Sequence, residues 1–81
     1  MVTIYTTTWC SFCKMAKNYM NQLGVKYEEK DVEKDPVAAN EAVQKSGQMG
    51  VPVVDVEGTI ILGFDKAMLD QAFKLNNLVQ K

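Results

Sequence analysis

The sequence predicts an α/β domain: a four-stranded mixed sheet in the order β-α-β-α-β-β-α, with three helices on its faces. Three observations carry this. Short runs rich in β-branched residues alternate with stretches of three-four apolar spacing. The first two such runs enclose a helical stretch, which implies a right-handed crossover between parallel strands. The last two, VPVVDV and TIILG, are joined by Glu57-Gly58, a two-residue hairpin signal that adds antiparallel strands.

Each element follows from its residues. Val2 and Ile4 alternate with Thr3 and Tyr5, a strand pattern. From Phe12 the apolar positions fall at 12, 15, 16, 19, 20 and 23, an amphipathic helix that Gly24 is placed to end in a left-handed cap. VKYEEKDV, with Val25 and Tyr27 alternating into charge, is the second strand. Asp35-Pro36 opens the second helix with a good cap and a proline at its first position. Val37, Ala38, Ala42 and Val43 give that helix its apolar face, and Ser46-Gly47 ends it. Asp65 caps a third helix whose apolar face is Met68, Leu69, Ala72 and Phe73, with Leu78 or Val79 beyond. No repeat, linker or low-complexity segment interrupts the 81 residues, so 1–81 is expected to be one domain.

Composition narrows the function. A net charge of −1 creates no field to recruit nucleic acid or acidic membranes, and all nine basic residues are lysines. Without arginine there is no planar bidentate donor for bases or phosphates, so neither a nucleic-acid nor a membrane partner is expected. No histidine is present, which removes Ser-His and Cys-His catalysis and imidazole metal ligands. The N-terminus lacks the pattern of a signal peptide, and a single close cysteine pair suits a reducing compartment. A cytoplasmic location and a monomer are expected.

The only cysteines, Cys10 and Cys13, stand two residues apart where the first strand gives way to the first helix. As a structural staple they would close so short a loop that the gain is only about 2 kcal/mol. As metal ligands they supply two of the four that zinc or an iron–sulfur cluster needs, so such a site would have to be shared between subunits. As a dithiol that opens and closes, their placement is apt. Unpaired N–H groups and the positive end of the helix face the Cys10 sulfur. A thiol so placed in a Cys-X-X-Cys pair ionises at about 3.5–7.5 rather than about 8.5. Cys13, one turn on, faces back toward Cys10 but lies farther from those donors. Cys10 is thus the attacking thiol and Cys13 the resolving one. Lys14 and Lys17 either add positive charge or form a solvated helix face.

YTTTWCSFCKMAK, GVPVV and ILGFDKAML, in that order along the chain, resemble a glutaredoxin or a small glutaredoxin-like redoxin. The resemblance implies a thioredoxin-like fold and thiol–disulfide oxidoreductase activity on protein or glutathione mixed disulfides. It also implies a cis bond between Val51 and Pro52, leaving the Val51 backbone free to pair with an extended peptide or glutathione. Gly63-Phe64-Asp65 matches the family's G-G-x-D in part, and implies a meeting point for the γ-glutamyl end of glutathione. Leu62 replaces the first glycine of that motif, Thr7 stands where many members carry lysine, and CSFC replaces C-P-Y-C. No bound cofactor is expected, with glutathione the candidate co-substrate. Disulfide-containing proteins are the expected partners, and glutathione or thioredoxin reductase the electron source.

Two alternatives stay open. One is a redoxin that takes electrons from thioredoxin reductase and passes them to ribonucleotide reductase, although ILGFDK stands where those proteins carry W-S-G-F-R-P. The other is a non-enzymatic dimer holding an iron–sulfur cluster between two Cys10 thiolates. Trp9 is expected as an apolar rim for substrate and Phe12 as core. Tyr5, Tyr19, Tyr27, Phe64 and Phe73 are expected in the core or at its edge, and EEKDVEKD as solvated surface. Met15, Met20, Met49 and Met68 are assigned to packing.

Overall fold

The computed structural model describes residues 2–47 and 52–76. In chain order it has β1 (Val2–Thr6), α1 (Ser11–Leu23), β2 (Tyr27–Asp31), α2 (Pro36–Ser46), β3 (Val53–Val56), β4 (Thr59–Leu62) and α3 (Lys66–Leu75). The strands form one sheet in the order β2-β1-β3-β4. β1 runs parallel to β2 and antiparallel to β3, and β4 completes the hairpin with β3. This is the expected α/β architecture, a thioredoxin-like fold.

Local chemistry sets the element ends. Gly24 (φ 71°) donates to the Asn21 carbonyl and Val25 to that of Met20. That pair of bonds closes α1 and lets Val25 pack back on Met20 in the core. Asp35 caps α2 by accepting from the N–H groups of Val37 and Ala38, with Pro36 as first helical residue. Glu57 and Gly58, at φ 52° and 96°, make the two-residue hairpin turn, and the Gly58 N–H donates to Asp55 Oδ1 at 2.8 Å. Positive φ at both positions matches the twist of the flanking strands.

The sheet buries two unlike faces. On one, Val2, Ile4, Val54, Val56 and Ile61 pack with Ala16 and Met20 of α1 and Leu69, Ala72 and Phe73 of α3. On the other, Tyr5 and Val53 pack with Ala38 and Ala42 of α2. β1 lies between two strands and is buried on both sides, so Tyr5 is fully enclosed although the alternation marks it as the polar side.

Several expected core positions are outside it. Phe12 is 59% exposed, contrary to its assignment as core. The buried line of α1 is Cys13, Ala16 and Met20, and Phe12 lies a hundred-degree step to one side of it. Met15 and Met68 are also exposed, each off the buried line of its helix, and so are Val37 and Val43 beside the two-alanine face of α2. Met49, Val51, Leu78 and Val79 lie outside the described residues.

Candidate redox site

Residues 7–10 carry the chain from β1 into α1, and the Cys10 N–H donates to the Thr7 carbonyl at 3.4 Å. Cys10 is the N-cap of α1, with φ −87° and ψ 110°. Oxygen-bearing side chains usually fill that position; here a sulfur does, accepting the Cys13 N–H at 3.1 Å. The first turn of α1 holds no acidic residue and includes Lys14, so nothing negative opposes charge on that sulfur from within the helix. Both cysteines are free thiols, Cys10 half-buried and Cys13 only 1% exposed.

The two thiols therefore occupy different environments one helical turn apart. Burial pushes the Cys13 thiol up to about 12, helped by its hydrogen bond to Cys10 and by the Cys10 charge. The Thr7 backbone and the Lys17 ammonium pull the other way. Trp9 is 83% exposed beside Cys10, and with Phe12 it puts apolar surface at the mouth of the site.

The other expected site residues converge through the second half of the chain. Pro52 is buried, and its carbonyl accepts the Gly63 N–H at 2.9 Å, tying the entry of β3 to the turn after β4. Gly63 sits at φ 69°, where a side chain would be strained. Phe64 packs edge-on against Tyr19 of α1, ring centroids 6.1 Å apart, and so docks this turn on the cysteine-bearing helix. Asp65 caps α3, its Oδ1 accepting the Met68 N–H at 3.1 Å. Tyr19 also bonds Asp70 through its hydroxyl; burial first and Asp70 second push its phenol up to about 12. Val51 lies outside the described residues.

One arrangement was not legible in the sequence. Lys17 Nζ and Thr6 Oγ1 both donate to Glu29 Oε2, at 2.9 and 2.7 Å. Glu29 pairs in register with the core residue Ile4, so it lies on the α1 side of the sheet, exposed as expected of its charged run. The three residues border a groove of about 250 Å³ that also touches residues 7–8, Lys14 and Asp31. The available signal was the four-residue step from Cys13 to Lys17, which stacks them on one helix face. As for metals, the two cysteines offer two thiolate ligands, so a zinc ion or cluster would need further ligands from a second copy or an added thiol.

A family model for glutaredoxin matches residues 2–61 of the chain. The chain belongs to the glutaredoxin family. It is 37% identical over 71 residues to a glutaredoxin-like 8.6 kDa protein of a rubredoxin operon in Clostridium pasteurianum, covering 88% of this chain and 95% of that one. Among solved structures it resembles the thioredoxin-like protein BC3987, with a TM-score of 0.84 and 30% identity over 89% of this chain and 99% of the other. It also resembles the glutaredoxin-like NrdH-redoxin of Escherichia coli, described as having a thioredoxin-like activity profile. There the TM-score is 0.77 and the identity 31%, over 86% of this chain and 91% of the other. As a glutaredoxin-like redox protein of thioredoxin fold, it is in general terms a thiol oxidoreductase. Among the described residues, no helix is long and apolar enough to cross a membrane.

Proposed function

We propose that this glutaredoxin reduces protein disulfides or glutathione mixed disulfides by dithiol exchange in the cytoplasm, as a monomer and without a bound cofactor. The observation that carries the reading is the Cys10 sulfur at the helix start, 3.1 Å from the Cys13 N–H, with the Cys13 thiol buried beside it. The Cys10 thiolate attacks one sulfur of the target disulfide. A bond forms between Cys10 and that sulfur, the target S–S bond breaks, and the departing target thiolate takes up a proton. Cys13 then loses its proton and attacks Cys10 Sγ. The Cys10–Cys13 disulfide forms, the mixed disulfide breaks, and the second target thiolate is protonated. The target gains two electrons and the cysteine pair loses two.

The high position of Cys13 suits this order. While Cys10 is free, its hydrogen bond and charge help keep Cys13 protonated; once Cys10 is tied into a mixed disulfide, its charge no longer does so. Cys10→Ser is expected to abolish disulfide reduction. Cys13→Ser is expected to accumulate a target-linked adduct on Cys10, read by intact mass. Full activity in Cys10→Ser would end the reading.

A second reading concerns the electron donor. Similarity to NrdH-redoxin, Thr7 in place of lysine and the absence of arginine favour thioredoxin reductase over glutathione. NADPH oxidation coupled through thioredoxin reductase should then exceed that through glutathione and glutathione reductase, and the reverse ranking would make glutathione the co-substrate.

A further inference from the structure

Resolution of a mixed disulfide needs the Cys13 thiolate, yet Cys13 is buried and its own surroundings oppose its charge. Among the described residues, Cys10 and Lys17 are the charged groups that act on it, and others stand near Lys17. Cys10 stands at the helix start, and Lys14 and Lys17 follow on α1. Glu29 and Asp31 of β2 border the same groove, and Tyr27 lies toward Lys17. Lys17 is the cation one turn beyond Cys13 on the same face. It is not a loose surface lysine: Glu29 Oε2 holds it at 2.9 Å, and that oxygen is itself anchored by the buried Thr6 hydroxyl at 2.7 Å. Through these bonds the first strand and the edge strand fix where the ammonium sits.

Resting on the dithiol reading above, we propose that Lys17 is a positioning residue for the resolving step, its charge favouring the Cys13 thiolate. Glu29, anchored by Thr6, holds Lys17 in place and sets how much of that charge Cys13 feels. The hydrogen bond from Lys17 to Glu29 pushes the ammonium above its ordinary 10.5 and the carboxylate below its ordinary 4.5, so both stay ionised across the neutral range. Neither is suited to carry the proton. Their role is electrostatic, and the Cys13 proton leaves to solvent or to the departing thiolate.

The size of the effect follows from two opposed trends. Losing one pK unit of thiolate stabilisation cuts the thiolate fraction about tenfold at a pH well below the pKa. The remaining thiolate is a better nucleophile by about threefold, because nucleophilicity rises with pKa at a slope of about 0.4–0.5. The net change is about threefold to fourfold in the resolving rate per unit.

The test is stopped-flow reaction of the reduced protein with one equivalent of dithiodipyridine, an uncharged disulfide whose released thiopyridone is read by absorbance. Attack by Cys10 gives a first phase that scales with concentration. Resolution by Cys13 gives a second phase that does not, and Cys13→Ser should lack it. Lys17→Met is expected to slow the second phase at neutral pH, by up to about threefold to fourfold, and to leave the first unchanged. Lys17→Arg should restore it. Glu29→Gln, which lifts the neutralising charge from Lys17, should speed it by about twofold, for about half a unit. The Lys17→Met curve of second-phase rate against pH should run parallel to the wild type's and be displaced to higher pH. If the wild type is biphasic and Lys17→Met leaves the second phase unmoved, the proposal fails while the dithiol reading stands. Lys17→Met and Glu29→Gln shifting that phase in the same direction would also overturn it. A wild type without a second phase would remove the dithiol reading and this inference with it.

Discussion

The two faces of the sheet are built to different standards. The face toward α1 and α3 is a dry layer of Ile4, Met20, Val54, Leu69 and Phe73, and Cys13 sits at its edge on the helix it holds. The face toward α2 buries a smaller cluster around Tyr5 and is ringed by ion pairs. Lys45 reaches Asp55 at 2.7 Å and the Tyr5 hydroxyl at 2.8 Å, while Lys30 reaches Glu41 at 3.1 Å. The difference shows where accuracy is needed. The helix that presents the thiols is fixed by packing, which is short-ranged and unforgiving, whereas α2 is held by contacts that solvent can partly replace.

One substitution on each face would sharpen or break that contrast. Phe73→Ala empties a fully buried site on the α1 face and is expected to cost about 3–5 kcal/mol in urea unfolding. Tyr5→Phe removes one hydroxyl from the α2 face while Lys45 keeps Asp55, and should cost about 1 kcal/mol. Equal costs would mean that the two faces are not distinct in kind.

Acid gives a smaller effect. Burial pushes the Asp55 carboxyl up, but Lys45 and the Gly58 N–H outweigh it and hold the group below its ordinary 3.8. A lowered carboxyl contributes stability that is present above 3.8 and lost as pH falls through the lower folded value. Lys45→Met should therefore flatten part of the acid loss of stability as pH falls from 3.8 through that lower value, by less than about 1 kcal/mol. Unchanged acid dependence in Lys45→Met would show that the pair contributes nothing.

Sequence patterning revealed the element order, the caps at Asp35 and Asp65, the glycine stop at Gly24 and the Glu57-Gly58 turn, because each depends on neighbours within a few residues. It also marked Cys10 as the start of α1. What it misplaced depends on the third dimension. Phe12 and Met15 satisfy helical spacing, yet the sheet reaches only as far as the line through Cys13, Ala16 and Met20. Tyr5, by contrast, is in the core as its aromatic ring led one to expect, although it falls on the polar side of the strand alternation. Glu29 lies in a charged run and gains its meaning from register with Ile4 and from Lys17 across the groove. Pairings between distant segments leave no local pattern to read.

The division of labour between the two sulfurs underlies the whole account, and limited alkylation tests it most directly. Reduced protein would be treated briefly with iodoacetamide at neutral pH, and the labelled peptides identified by mass spectrometry. Label on Cys10, with Cys13 unmodified, is the expected result. Label on Cys13 first, or equally on both, would contradict it.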